Sequence, residues 1–199
     1  MDPKIVLSMF KETGALLDGH FQLTSGLHSN QYFQCAKVLQ YPKHCETLCG
    51  HLANEFPGDS IDAVVAPALG GIVVAQEIGR QLHKRTMFTE RKDGTMQLRR
   101  GFEIKPGERI LVCEDVVTTG GSVMEVINIV QSSGGKVAGV AFIVDRSGGR
   151  VKFATEPGGK QCAVLTMDVV TYKPVSCPLC HSKVPVVKPG SRGNNGPNR

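Results

Sequence analysis

No run of apolar residues in this 199-residue chain approaches the ~18–20 needed to cross a membrane, which argues against a transmembrane helix. Tryptophan is absent and hydrophobic residues make up 41%, an ordinary composition for a soluble domain. The start, Met1-Asp-Pro-Lys, is acidic and passes into an amphipathic pattern, unlike a secretory leader. The expectation is a cytoplasmic protein. Acidic residues are missing from 173–199, where Lys173, Lys183, Lys188, Arg192 and Arg199 stand. Those five of the 23 basic residues account for the net charge of +5, leaving residues 1–172 with 18 of each sign. A nucleic-acid footprint would show as a basic stripe on the folded body, so no nucleic-acid partner is expected.

Two nucleotide-binding motifs are also missing. No G-x-G-x-x-G follows a strand, and no G-x-x-x-x-G-K-[ST] occurs. The seven cysteines, at 35, 45, 49, 113, 162, 177 and 180, are odd in number and point to free thiols in a reducing compartment. Only Cys177-Pro-Leu-Cys180 has ligand-like spacing. His181 adjoins it, but a zinc site needs four ligands, so a metal and two free thiols both stay open.

What is present is an alternation of elements. Asp2-Pro3 is a helix start, and the stripe Ile5, Met9, Leu16 predicts a helix over 3–17. Strand and turn character covers 20–38, and a second helix follows Pro42 to about Phe56. Then come strands at 63–66, 86–89, 109–113, 137–144 and 162–167, with helices over 71–82 and 121–131. Residues 90–100 read as a polar, charged loop before a short strand near 101–104. Met124 and Ile127 read as core. The pattern predicts an α/β fold with a central, mainly parallel sheet flanked by helices. Residues 1–172 form the domain, with a small N-terminal hood. Residues 173–199 form a basic tail with five prolines, its last ten residues expected to be disordered.

The chemistry concentrates in Ile110-Leu-Val-Cys-Glu-Asp-Val-Val-Thr-Thr-Gly-Gly-Ser122. An apolar strand leads to two carboxylates, then to hydroxyls and unhindered N–H groups at a helix start, an arrangement that binds a phosphate dianion. Ligands of open α/β sheets sit at the carboxyl ends of strands. Carboxylates beside a phosphate repel it unless ribose hydroxyls or Mg²⁺ intervene. The local pattern therefore asks for a sugar phosphate with magnesium.

These residues resemble the 5-phosphoribosyl 1-diphosphate (PRPP) motif of type I phosphoribosyltransferases. Phe21-Gln-Leu-Thr-Ser-Gly-Leu-His-Ser29 with Tyr32-Phe33 is similar to the N-terminal signature of orotate phosphoribosyltransferases. Ala66-Pro-Ala-Leu-Gly-Gly71 resembles their pyrophosphate loop. Arg91-Lys92 and Arg99-Arg-Gly-Phe102 bracket what looks like their mobile catalytic loop. Val144-Asp-Arg146 resembles the segment that grips orotate. Three departures stand out: Thr24 and Gly70 replace lysines common in the family, and the loop lacks a Lys-x-His element.

The resemblance implies a type I phosphoribosyltransferase fold and transfer of ribose 5-phosphate from PRPP to orotate, giving orotidine 5′-monophosphate and diphosphate. It implies Mg²⁺ bound mainly through PRPP, and a homodimer whose loop is shared across the interface. Glu114, Asp115, Arg91 and Lys92 would be catalytic. Those four, with Val116, Val117, Thr118, Thr119, Gly120, Gly121 and Ser122, would hold PRPP. Thr118 and Arg146 would hold orotate, with His28 and Tyr32-Phe33 as possible pocket walls. Two other readings are a phosphoribosyltransferase for another base and a regulatory protein that binds nucleic acid.

Overall fold

The computed structural model describes residues 1–23 and 25–189. The elements run α1 (Pro3–Glu12), β1 (Leu16–Gln22), β2 (His28–Phe33), α2 (Ala36–Leu39), α3 (Pro42–Ala53), β3 (Ala63–Pro67), α4 (Gly70–Leu82), β4 (Arg85–Lys92) and β5 (Thr95–Leu98). They continue with β6 (Arg109–Val117), α5 (Gly121–Ser132), β7 (Lys136–Asp145), β8 (Lys160–Thr166), β9 (Thr171–Tyr172) and α6 (Pro178–His181). No helix among the described residues is long and apolar enough to cross a membrane.

The main sheet has six strands in the order β5-β4-β3-β6-β7-β8. All neighbours pair in parallel except β5, which runs antiparallel on the edge. Side chains alternate across a strand, and both faces are covered. Val64, Ala66, Leu111, Cys113, Ala141 and Ile143 face the helices α1, α3 and α4. Ala63, Val65, Ile110, Val112, Val140 and Phe142 face α5 through Val123, Val126, Ile127 and Val130. That double burial is why these strands read as continuous apolar runs. A second sheet, β1-β2-β9, is antiparallel and forms the hood.

Several boundaries differ from expectation. Asp2 does cap α1, accepting a bond from Lys4 N, but the helix stops at Glu12, not 17. The Thr13 hydroxyl donates to Met9 O at 2.7 Å and Gly14 takes φ +64°. Leu16 and Leu17 then enter β1, so their apolar pattern belongs to a strand. Residues 90–100 form no open loop. Arg91 and Lys92 extend β4, Asp93 and Gly94 make a turn with φ +53° and +82°, and β5 returns. Asp-Gly is the signature of a two-residue hairpin turn, and it reverses the chain here. No strand forms over 101–104. Met124 is exposed on α5, whereas Ile127 is buried. The tail up to Pro189 packs in part against the hood: Val187 bridges Phe21, with Gln22 N donating to Val187 O and Val187 N to His20 O, both at 2.8 Å. The last ten residues and Thr24 lie outside the described residues.

Candidate active site

The carboxyl end of β6 delivers Glu114 and Asp115 to the top of the sheet, beside the start of α4. Gly70 and Gly71 open that helix, and both lie against the acidic pair. A Cβ on Gly70 would run into the Asp115 carboxylate, and one on Gly71 would meet Glu114 Oε1 at 3.1 Å. The N-terminus of a helix carries partial positive charge, so α4 partly offsets the charge of its neighbours. Asp115 N donates to Glu114 Oε1 at 3.0 Å, and Val116 N to Asp115 Oδ1 at 2.9 Å. Glu114 is buried. Burial first, and the neighbouring Asp115 second, push its carboxyl well above the usual carboxylate range.

After β6 the chain turns through Thr118, Thr119 and Gly120 into α5. Gly120 takes φ +78°, and an added Cβ would meet Phe153 and Val151 at 2.8 Å. Glycine is required there for both reasons. Thr118 to Ser122 line a cavity of about 200 Å³, with Glu114, Val116, Val117, Arg91 and Glu125 around it. Hydroxyl-bearing residues, a helix N-terminus and the Arg91 guanidinium thus surround one small space, the kinds of group that an anion site uses.

A larger cavity of about 840 Å³ adjoins it and shares Val116, Thr118 and Thr119. Its walls include Tyr32, Phe33, Cys35, Asp115 and Arg146. Arg146 is buried, and its Nε has no hydrogen-bond partner. Burial lowers its pKa, the mark of a cation stripped of water without a full set of acceptors. The turn holding it is fixed by Asp145, whose Oδ1 accepts from Ser147 N and Oγ at 2.7 and 2.6 Å while Oδ2 accepts from Gly149 N. Arg146 N is tied to Val117 O at 2.8 Å.

The Phosphoribosyl transferase domain model matches residues 37–154. An orotate phosphoribosyltransferase of Chlorobaculum parvum is 58% identical over 188 residues, covering 94% of this chain and 95% of that protein. The chain belongs to the orotate phosphoribosyltransferase family. A crystal structure of orotate phosphoribosyltransferase from Aeropyrum pernix superposes with a TM-score of 0.69 at 27% identity, covering 81% of this chain and 93% of that one. An adenine phosphoribosyltransferase from Rhodothermus marinus reaches 0.66 at 20% identity, covering 82% and 99%. The fold alone therefore does not choose the base.

With the family in hand, the expected site residues can be placed. Glu114 to Ser122, Arg91 and Arg146 all line one or both cavities. Lys92 lines neither and is exposed near the hairpin tip. Arg91 does not reach away from its own body: it pairs with Glu125 of α5 at 2.8 Å. Arg99 and Arg100 fold back onto Glu90 at 3.2 and 3.0 Å. His28 is turned away from the larger cavity and contacts His20 and Cys180 instead. Cys35, Ser147 and Arg150 line that cavity and were not singled out in the sequence. Only the Asp145-Arg-Ser-Gly-Gly turn chemistry could have pointed to Ser147.

Proposed function

We infer that this chain transfers the ribose 5-phosphate group of PRPP to orotate, giving orotidine 5′-monophosphate and diphosphate in pyrimidine biosynthesis. The near full-length relatedness to orotate phosphoribosyltransferases supports the base. The observation that carries the mechanism is the junction of the two cavities at Val116, Thr118 and Thr119, with Glu114 on the wall of the smaller and Asp115 on that of the larger. The smaller one suits the 5-phosphate on the Thr118–Ser122 loop. The larger has room for the base, with the Arg146 guanidinium available to a carboxylate.

Chemistry at this site needs no covalent nucleophile. As diphosphate leaves, the ribose carbon becomes cationic, and rate comes from positioning and charge stabilisation. Glu114 and Asp115 sit beside the cradle, where they accept from ribose hydroxyls and face the developing positive charge. Aromatic walls at Tyr32 and Phe33 exclude water from the base.

Magnesium is part of the proposal. The acidic pair offers only oxygen donors, which suits a hard divalent cation held chiefly by the substrate's phosphates. Bound there, Mg²⁺ would neutralise the leaving diphosphate. We also propose a homodimer in the cytoplasm. Arg91 lines the cradle of its own subunit, so Lys92 to Gly94, the exposed hairpin tip, is the part available to a neighbour's site.

The test is turnover of orotate, adenine and hypoxanthine side by side with PRPP, with and without Mg²⁺. Orotate alone should be consumed, and only with the metal. Preference for a purine would point to a transferase for another base.

A further inference from the structure

Away from both cavities, four side chains from three chain segments converge under the hood. His20 stands on β1, His28 on β2, and Cys177 and Cys180 at the start of α6. His20 Nε2 lies 2.8 Å from His28 Nδ1, 3.5 Å from Cys177 Sγ and 3.7 Å from Cys180 Sγ. Cys180 Sγ lies 3.3 Å from His28 Nδ1. All four donor atoms fall within 4.8 Å of one another, the single such cluster of three or more His, Cys, Asp or Glu among the described residues. Neighbouring ligand atoms around a tetrahedral zinc ion stand about 3.3–3.8 Å apart, given bonds of roughly 2.0–2.3 Å. The observed spacings need only small side-chain adjustments to match.

We propose that His20, His28, Cys177 and Cys180 form a structural Zn²⁺ site that clips the C-terminal segment to the hood. Three observations support it beyond proximity. His20 Nδ1 lies 2.7 Å from Val184 O. A carbonyl only accepts, so Nδ1 carries the proton and the Nε2 lone pair faces the cluster. Such a carbonyl contact is the usual outer support of a metal-bound imidazole. Second, His20, His28 and Cys177 are buried. Two thiolates and two neutral imidazoles around Zn²⁺ sum to zero charge, which makes that burial tolerable. Third, the donor set is two sulfurs and two nitrogens, the composition that selects zinc over hard cations. Four protein ligands leave no open position, so the ion would be structural and not catalytic.

The consequence concerns the active site. His28 begins the strand that carries Tyr32 and Phe33, walls of the larger cavity. His28 also pairs with Tyr172, beside Thr171 on the same wall. The ion would hold one edge of that cavity through the backbone, at a distance from the chemistry.

Metal content of the full-length protein, purified without chelators, tests this. The expected result is about one zinc per chain. Cobalt exchange should give the visible bands of tetrahedral Co²⁺ and a thiolate charge-transfer band. Cys180→Ser, at the less buried cysteine, should lose at least tenfold in zinc occupancy. Cys45→Ser, which removes one thiol of another close pair, should keep the metal. Chelation should lower the Tm of wild type by about 5 °C or more and leave Cys180→Ser unmoved. Folded wild type that binds neither zinc nor cobalt would overturn the proposal. So would a Cys180→Ser protein that keeps full occupancy, or a Cys177–Cys180 disulfide in protein purified under reducing conditions. Zinc content is read without orotate turnover, so its failure is separate from any failure of the assigned reaction.

Discussion

The carboxylate of Asp115 fills the space that a side chain at Gly70 would need. The start of α4 and the acidic pair are therefore one packed unit, and glycine at position 70 has a steric reason here. Gly70→Ala should move Asp115 off its station and lower kcat/KM at least tenfold, with a Tm change of only a few degrees. Steady-state kinetics and thermal melting check this. Unchanged kcat/KM would show that Asp115 has room to spare.

Glu114 should trade stability for function. Its folded carboxyl sits well above the ordinary range because of burial and Asp115. A carboxyl raised in the folded state costs stability as pH climbs through its folded value, and costs nothing where it is protonated in both states. Glu114→Gln should therefore raise Tm by about 3 °C or more at pH 8, on the order of 1 kcal/mol for a chain of this size. The gain should shrink toward pH 4, while turnover falls at pH 8. A Tm gain independent of pH would assign the effect to packing.

Arg146 presents a planar fork that lysine cannot reproduce. Arg146→Lys should raise KM for orotate at least tenfold with little change in KM for PRPP. Equal increases for both substrates would remove Arg146 from base recognition.

The hairpin tip offers a test of the dimer. If Lys92 serves the neighbouring subunit, Lys92→Ala and Asp115→Asn proteins should complement each other after subunit exchange. Random pairing of equal amounts makes half the dimers mixed, each with one intact site, so activity should recover to about a quarter of wild type. Lack of recovery after proven exchange places Lys92 in its own subunit's site. Arg91→Ala, by contrast, should not be rescued, since Arg91 lines its own cradle.

Legibility in the sequence followed contiguity. Residues 110–122 could be read because strand, acids, phosphate loop and helix start lie in one stretch, each with local chemistry. The main sheet was readable because strands buried on both faces are continuous apolar runs. The end of α1 was not, since Leu16 and Leu17 continue a helical stripe until the Thr13 and Gly14 stop intervenes. The hairpin was lost beneath its charges, although Asp93-Gly94 marked it. Of the His20, His28, Cys177, Cys180 cluster only the cysteine pair was legible, by its spacing: the two histidines lie more than 140 positions away and meet it through pairing of the tail with the hood, while the adjacent His181 takes no part.

The most direct test follows the ultraviolet absorbance of orotate with PRPP and Mg²⁺, comparing wild type with Asp115→Asn. The account predicts PRPP-dependent loss of orotate by wild type. It predicts at least a tenfold slower rate for Asp115→Asn at unchanged Tm. Orotate left intact by well-folded wild type, or consumed as fast by the Asp115→Asn protein, would contradict it.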